Sequence, residues 1–448
     1  MSDRLEKLTD ALLTAARKAG ADSADAMAVD GTSVSIDVRA GALEHAERSE
    51  GIDIGLRVMI GQRQACVSAS DINPDTITQM AQRAVAMAHE APVDPTIGLA
   101  DPEQFARDWD IAALELADPA DEPAPALLED AARRAEAAAL AVDGVAQVQS
   151  ASAGYGRRAI HLATSNGFSG GYARTDNAVS CVAITGTGAG MERDYYGDYR
   201  IFRADMDSPE TIGQLAGERT VARANPRQPK TGAYPVLFDE RVASSLIGHL
   251  VAAINGTAIA RGASWLRDAM GAQVLPAGMS LIENPLRPRT PGSRPFDAEG
   301  LPTQKRAIIR AGELTGWTLD LATARKLGLA STANAQRGPS APPSPGVSNL
   351  TLTQGSKSPA DLMAEMGTGL WVTSMIGSTI NPTTGDYSRG ASGMWIENGV
   401  PAYPVNECTI AGNLRDMLRT LTAANDARAH LSRQVPSLRV EGLTLAGS

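Results

Sequence analysis

The strongest constraint on the fold is a change of hydrophobic period that occurs twice along the chain. Leu5, Leu8, Leu12 and Ala15/Ala16 recur at helical spacing behind a capping pair, Asp3 and Glu6, and Gly20 closes the segment. The period then drops to two. Val34, Ile36 and Val38 alternate with polar residues, followed by Ile52, Ile54, Leu56, Val58 and Ile60, and then by Ala65, Val67 and Ala69. Such alternation describes half-buried antiparallel strands. Asn73 and Pro74 open a second helix, with proline at its first position, through Ile77, Met80, Ala81, Ala84 and Ala88. After an acidic, proline-rich interval the order begins again: an alanine-rich helix near 126–142, alternating runs through Val179–Thr185 and Tyr199–Phe202, and a helix opened by Ser208 and Pro209. The two closing helices share text, NPDTITQMA at 73–81 against SPETIGQLA at 208–216, with Pro, Thr, Ile, Gln and Ala identical. The match predicts a duplicated helix–strands–helix unit.

A third region follows the proline-rich boundary at 225–232. It opens with a strand, Tyr234–Phe238, passes into the helical stretch SSLIGHLVAAING at 244–256, and ends β-rich, with Asn398-Gly399 as a strong hairpin signal and a last strand through Leu438 and Val440. Aromatics are only 4% of the chain, whereas glycine and proline number 43 and 26, so the interior must be built from Ala, Val, Leu and Ile between many turns. The expected class is α+β, a duplicated helix–strands–helix region followed by a barrel-like β-rich domain. The boundaries read as a first α/β unit at 1–92, a linker or surface excursion at 93–125, a second α/β unit at 126–225 and the β-rich domain at 232–448.

A net charge of −10 argues against binding a phosphate backbone, which needs Lys and Arg clustered on one face. The densest basic stretch, 287–306, is interrupted by Pro, Gly, Asp297 and Glu299, so no nucleic-acid partner is expected. The charged N-terminal segment and the lack of a long apolar run predict a cytoplasmic protein without a membrane partner. Cys66, Cys181 and Cys408 lie far apart without a C-x-x-C pair, which fits three buried thiols in a reducing compartment.

Catalytic signatures can be checked one by one. A zinc peptidase needs two histidines at fixed helical spacing, with a glutamate to activate the metal-bound water. Of the five histidines, His45, His161, His249 and His430 are followed by Ala or Leu; His89 precedes Glu90, but Pro92 follows and no second histidine is near. No H-E-x-x-H or H-E-x-x-x-H occurs. His249 sits among Leu246, Ile247, Leu250 and Ala253, where a packed, hydrogen-bonded ring is favoured over a catalytic one. No nucleophile elbow or P-loop is present, and TGTGAG at 185–190 reads as a flexible turn. The carboxylate pairs Asp239/Glu240 and Asp297/Glu299 are expected in solvent.

The C-terminal third carries longer motifs: FDAEGLPTQ at 296–304, ARKLGL at 324–329, GDYSRGASGMWIENG at 385–399, YPV at 403–405 and TIAGNL at 409–414. With these the chain resembles the TldD/PmbA family, long associated with the label modulator of DNA gyrase, over nearly its whole length. The resemblance implies an α+β fold with a barrel-like C-terminal domain, and two branches that pair with one another. The TldD-like branch carries H-E-x-x-x-H, binds zinc and is the catalytic member of a peptidase; the PmbA-like branch, also called TldE, lacks the motif. Anchored on Arg261-Gly-Ala-Ser264, the metal motif would fall on Ile247, Gly248 and Ala252, none of which binds zinc. No cysteine lies near 425–435, where the catalytic branch has a further ligand, and Cys408 is misplaced for that role.

The expectation is therefore a PmbA/TldE-type subunit without catalytic or metal-binding residues of its own. It would form a heterodimer with a TldD-type subunit that holds the zinc, in a cytoplasmic metallopeptidase that matures or degrades unfolded peptides. Asp386, Tyr387, Ser388 and Arg389 are the candidates for peptide or partner contact, their alternative being a turn in which Arg389 pairs with Asp386. The isolated chain could use the partner surface for a homodimer. Two other classes stay open: an autonomous hydrolase built on His249 and a carboxylate, and a regulatory protein that binds gyrase without proteolysis.

Overall fold

The computed structural model describes residues 2–447. The duplicated units are both present, and they build one sheet rather than two. Helix α1 (Ser2–Ala19) starts a residue earlier than its expected cap, so Asp3 lies in the first turn, and Gly20 at φ +101° ends it. Strands β1 (Ser23–Arg39), β2 (Ala42–Ile60) and β3 (Arg63–Ala69) form an antiparallel meander closed by α2 (Pro74–Glu90). Asn73 precedes α2 without capping it, because its side chain donates to Asp71. The second unit repeats the order: α3 (Pro125–Leu140), β4 (Val145–Thr164), β5 (Ser169–Thr185), β6 (Glu192–Arg200) and α4 (Pro209–Val221). Here Ser208 does cap, accepting from the Thr211 N–H. The strand order β3-β2-β1-β4-β5-β6 joins the repeats through an antiparallel β1–β4 pair, from Asp25 opposite Thr164 to Val38 opposite Ala151.

Alternation explains how one sheet serves three cores. Ala24, Ala26 and Ala28 pack under α1 and α2, while Val34, Ile36 and Val38 on the same face of β1 pack under α3 and α4. The other face turns Met27, Leu162 and Phe168 toward Phe296, Leu301 and Leu321 of the C-terminal part. Alanine-rich helix faces allow close approach. A Cβ on Gly213 of α4 would overlap the Ala135 carbonyl of α3, and one on Gly217 would overlap Val142.

The C-terminal part holds a closed barrel. Strand β7 (Gly232–Phe238) pairs in parallel with β8 (Gly369–Ile380); β9 (Asp386–Glu397) and β10 (Val400–Asn413) follow as antiparallel neighbours. Strand β11 (Leu438–Ala446) then pairs with both β7 and β10, which completes a ring of five. The expected hairpin is there, with Asn398 and Gly399 at φ 51° and 81° joining β9 to β10. No helix among the described residues is long and apolar enough to cross a membrane.

Buried charge joins the two parts. Asp25 faces Arg57 in the β1–β2 register and also receives Arg337 from the C-terminal part; all three side chains are almost fully buried. Burial alone would raise the Asp25 carboxyl, but Arg337 and Arg57 outweigh it and hold it below the ordinary range. Arg241 reaches Asp194 at 3.1 Å, and Arg174 donates to the Pro291 and Ser293 carbonyls. The stretch expected as a linker, 93–125, is not solvated along its length: Phe105, Leu114 and Leu116 are buried, and Trp109 meets Phe296 edge-on at 5.0 Å. The basic stretch 287–306 is likewise occupied, Arg289 by Glu115 and Asp205, and Arg306 by Glu283.

Two expectations about burial are corrected. Cys181 and Cys408 are buried, their thiols pushed up by burial to about 12 and about 11, but Cys66 is only half-buried. Asp297 and Glu299 are not in solvent but 1% and 5% exposed. They lie where the 294–301 loop folds against the sheet, and backbone N–H groups of Glu299, Leu301, Ala335 and Leu321 replace the lost water.

Replacing Gly213 by alanine adds a methyl to a closed helix crossing, which overrides alanine's better helix propensity and destabilises by about 1–3 kcal/mol; thermal melts of Gly213→Ala beside Gly31→Ala, whose added Cβ meets open space, separate the crossing from a general glycine effect. Burial, then the neighbouring Asp297 charge, raises the Glu299 carboxyl well above its ordinary range. The folded state thus keeps a proton that the unfolded chain releases, and stability falls as pH rises from about 4.3, by up to roughly 1.4 kcal/mol per pH unit. Urea midpoints between about pH 5 and 7 should decline less in Glu299→Gln than in the wild type.

Candidate functional site

Helix α5 (Glu240–Ala253) follows β7 directly. Asp239 caps it by accepting from the Arg241 N–H, and Ala243, Leu246, Ile247, Leu250 and Ala253 form its buried stripe. That stripe belongs to the barrel core with Val236, Leu370, Val372 and Ile410. The three positions on which the metal motif would fall are therefore divided. Ile247 is fully buried in the core, Gly248 is half-buried with an Arg433 guanidinium nitrogen 3.3 Å from where its Cβ would stand, and Ala252 is exposed.

His249 is half-buried, its ring edge-on to Tyr387 with centroids 5.9 Å apart. It packs, but it is not hydrogen-bonded as expected: Nε2 is buried without a partner among the described residues. Desolvation first, then the charge of Arg389, lowers its pKa, so the ring is neutral at neutral pH. The charged neighbour is a cation, whereas a catalytic histidine needs an acceptor that orients it.

The four residues singled out from the sequence are all on β9, and strand alternation separates them. Tyr387 is 2% exposed, donates its hydroxyl to Met375 Sδ at 3.3 Å, and has its phenol pushed up by burial to about 12. It is a packing residue, not a surface contact. Arg389 lies on the same side as Tyr387 and His249, and its Nε donates to the Gly377 carbonyl at 2.7 Å; it forms no pair with Asp386 among the described residues. Asp386 is exposed and accepts from Thr384 Oγ1 at 2.5 Å and Asn413 Nδ2 at 3.1 Å, hydrogen bonds that hold its carboxyl below the ordinary range. Ser388 is half-buried and pairs with Thr379 and Ala411 across the sheet.

The structure thus gathers His249, Tyr387, Arg389 and Met375 and leaves Asp386 and Ser388 apart. Sequence reasoning missed Met375, and it also missed Ile376, a large apolar side chain 78% exposed where β8 bulges against β9. An isoleucine followed by Gly377 and Ser378 at the end of an alternating run was the available signal.

Chemically this group offers a neutral imidazole, a phenol that stays protonated and a guanidinium. It can donate to carbonyls or carboxylates, but it contains no nucleophile with an adjacent base. Nor does it fit a divalent metal. Among the described residues no three His, Cys, Asp or Glu side chains come together in a way that could hold one, and a ligand at 247 would have to displace core packing.

Family models described as PmbA/TldA metallopeptidase domain 1, central domain and C-terminal domain match residues 24–88, 116–224 and 231–447. The chain is 36% identical over 447 residues to the metalloprotease PmbA of Escherichia coli O157:H7, covering 99% of this chain and 96% of that one. It is 34% identical to a PmbA homologue of Haemophilus influenzae, with 97% and 94% covered. A crystal structure from Bacteroides thetaiotaomicron, described as a modulator of DNA gyrase, superposes with a TM-score of 0.92 at 26% identity, covering 100% of this chain and 99% of that one. TldE from Thermococcus kodakarensis shares the fold, with a TM-score of 0.85 at 20% identity and 98% and 100% covered. With a full-length relative above one-third identity and domain models along the chain, this protein belongs to the PmbA/TldD family of metallopeptidase-like proteins.

Proposed function

We propose that this chain is the PmbA/TldE-type subunit of a two-component peptidase, in which a TldD-type partner holds the zinc and this chain forms part of the wall that admits unfolded peptides. The observation that carries the reading is the chemistry of α5. At the three positions the metal motif would need, it presents a core isoleucine, a glycine against Arg433 and an exposed alanine. The names of the relatives describe metalloproteases, and a subunit of such an enzyme need not carry its metal.

The barrel rim suits the wall role. Arg389 and the exposed Ile376 stand near one another at the bulged β8–β9 ladder, a guanidinium for carbonyls or carboxylates beside an apolar side chain. A wall for peptides needs donors to carbonyls and an apolar contact for side chains, and no catalytic group of its own. His249 with its cationic neighbour does not support an autonomous hydrolase, and no surface here argues for gyrase over a peptide.

The test is zinc analysis and cleavage of an unfolded peptide by the pure chain, alone and after addition of a TldD-type protein. The expected result is substoichiometric zinc and no cleavage alone, with cleavage appearing on mixing. Stoichiometric zinc with cleavage by the chain alone would overturn the reading. In the mixed enzyme, His249→Ala should cost far less than the roughly 100-fold or more that follows loss of a general base, as read from initial rates.

A further inference from the structure

A cavity of about 430 Å³ lies between the sheet face turned away from the helices and two C-terminal segments, 294–298 and 336–339. Its wall carries Arg158, Arg174, Arg294 and Arg337 against Asp53 and Asp297. The guanidinium groups outnumber the wall's carboxylates by four to two.

Arg174 uses its terminal nitrogens on the Pro291 and Ser293 carbonyls at 2.6 and 2.8 Å, and Arg294 uses its own on Ala335 and Gly346 at 3.1 and 3.0 Å. Carbonyls satisfy hydrogen bonds but neutralise nothing. Arg337 shares the single carboxylate of Asp25 with Arg57. Arg158 is exposed. On the acidic side, Asp297 accepts from the N–H groups of Glu299, Leu301 and Ala335 and interacts with the Arg294 charge, and Asp53 accepts the Ser70 hydroxyl at 2.6 Å; these neutral donors cancel neither carboxylate. An excess of guanidinium groups around one cavity, with Arg158 exposed, is the complement of a single negative charge.

The rest of the lining is apolar, with Val29, Ile160, Leu162 and Phe296 among it. A phosphate-sized dianion would leave that surface unused and would face Asp53 and Asp297. A monoanion with an apolar body uses both halves, and the planar guanidinium fork matches a carboxylate. The volume falls in the range of small-molecule sites.

We propose that this cavity binds a small carboxylate with an apolar body, of the kind presented by the C-terminal residue of a short peptide or by a free organic acid. The site is formed by the two parts of this chain.

Titration calorimetry on the full chain tests it, with N-acetyl-leucine and the dipeptide Ala-Leu as probes, each beside its C-terminal amide. Both acids should bind at least about tenfold more tightly than their amides, a preference that removal of one charge-assisted hydrogen bond accounts for. Arg158→Gln, which changes an exposed side chain, should weaken the acids with an unchanged melting temperature, and Arg174→Gln should weaken them further. If Arg174→Gln fails to fold, Arg158→Gln decides alone. A tighter dipeptide assigns the peptide terminus as the source of the carboxylate, and a tighter N-acetyl-leucine assigns a free acid. Equal binding of acids and amides, no binding of either acid, undiminished binding by Arg158→Gln, or tighter binding of phenyl phosphate than of both acids overturns the proposal.

Discussion

Three residue pairs hold the barrel shut, Thr409 with Ala446, Ile410 with Leu445 and Ala411 with Thr444. They turn an open row of strands into a ring without free edges, and a ring has an interior that must be filled. Helix α5 packs its aliphatic stripe into the same core, with Ile247 and Leu250 fully buried. Once the helix is committed to that packing, its remaining face is what chemistry can use, and that face carries Gly248, His249 and Ala252. The ring also fixes β9, so Tyr387 points inward against His249 while Asp386 stays outside. What the rim can and cannot do follows from closure.

The junction between the two parts depends on a different force. Hydrophobic contact is supplied by Phe168, Trp109 and Phe296, but orientation comes from arginines that cross the boundary. Arg337 meets Asp25, Arg174 meets two carbonyls, and Arg241 meets Asp194. Buried pairs add little net stability because desolvation offsets their attraction, yet losing one partner strands a charge. Such contacts therefore select one arrangement of the halves more than they strengthen it. Arg174 and Arg294, answered by carbonyls, stand with Arg158 and Arg337 around the cavity between the halves.

Much of this was legible in the residues. Period-two runs, proline-led helices and the shared text at 73–81 and 208–216 describe the repeated unit, and Asn398-Gly399 marks the β9–β10 hairpin of the barrel. All these signals are local. The pairing of β1 with β4, which makes two repeats one sheet, joins residues more than a hundred positions apart and leaves no mark in either strand. The burial of Asp297 and Glu299 was hidden for a related reason, since their partners are backbone N–H groups that any sequence has. In DYSR at 386–389, four polar residue types concealed a strand whose second member faces the core, because a tyrosine hydroxyl can be met by a methionine sulfur. The arginine-lined cavity draws on positions 158, 174, 294 and 337, a set that only the fold assembles.

The shared sheet has a consequence for how the molecule is made. When the first unit has left the ribosome, one long side of β1 still lacks the neighbour that β4 will supply, and its main-chain groups stay unsatisfied until residues 145–164 emerge. The barrel waits longer, since β7 near the middle of the chain must hold out for β11 at its far end. Synthesis therefore exposes sticky intermediates twice, and slow, distant pairing sets the pace at which a nascent chain becomes safe from aggregation.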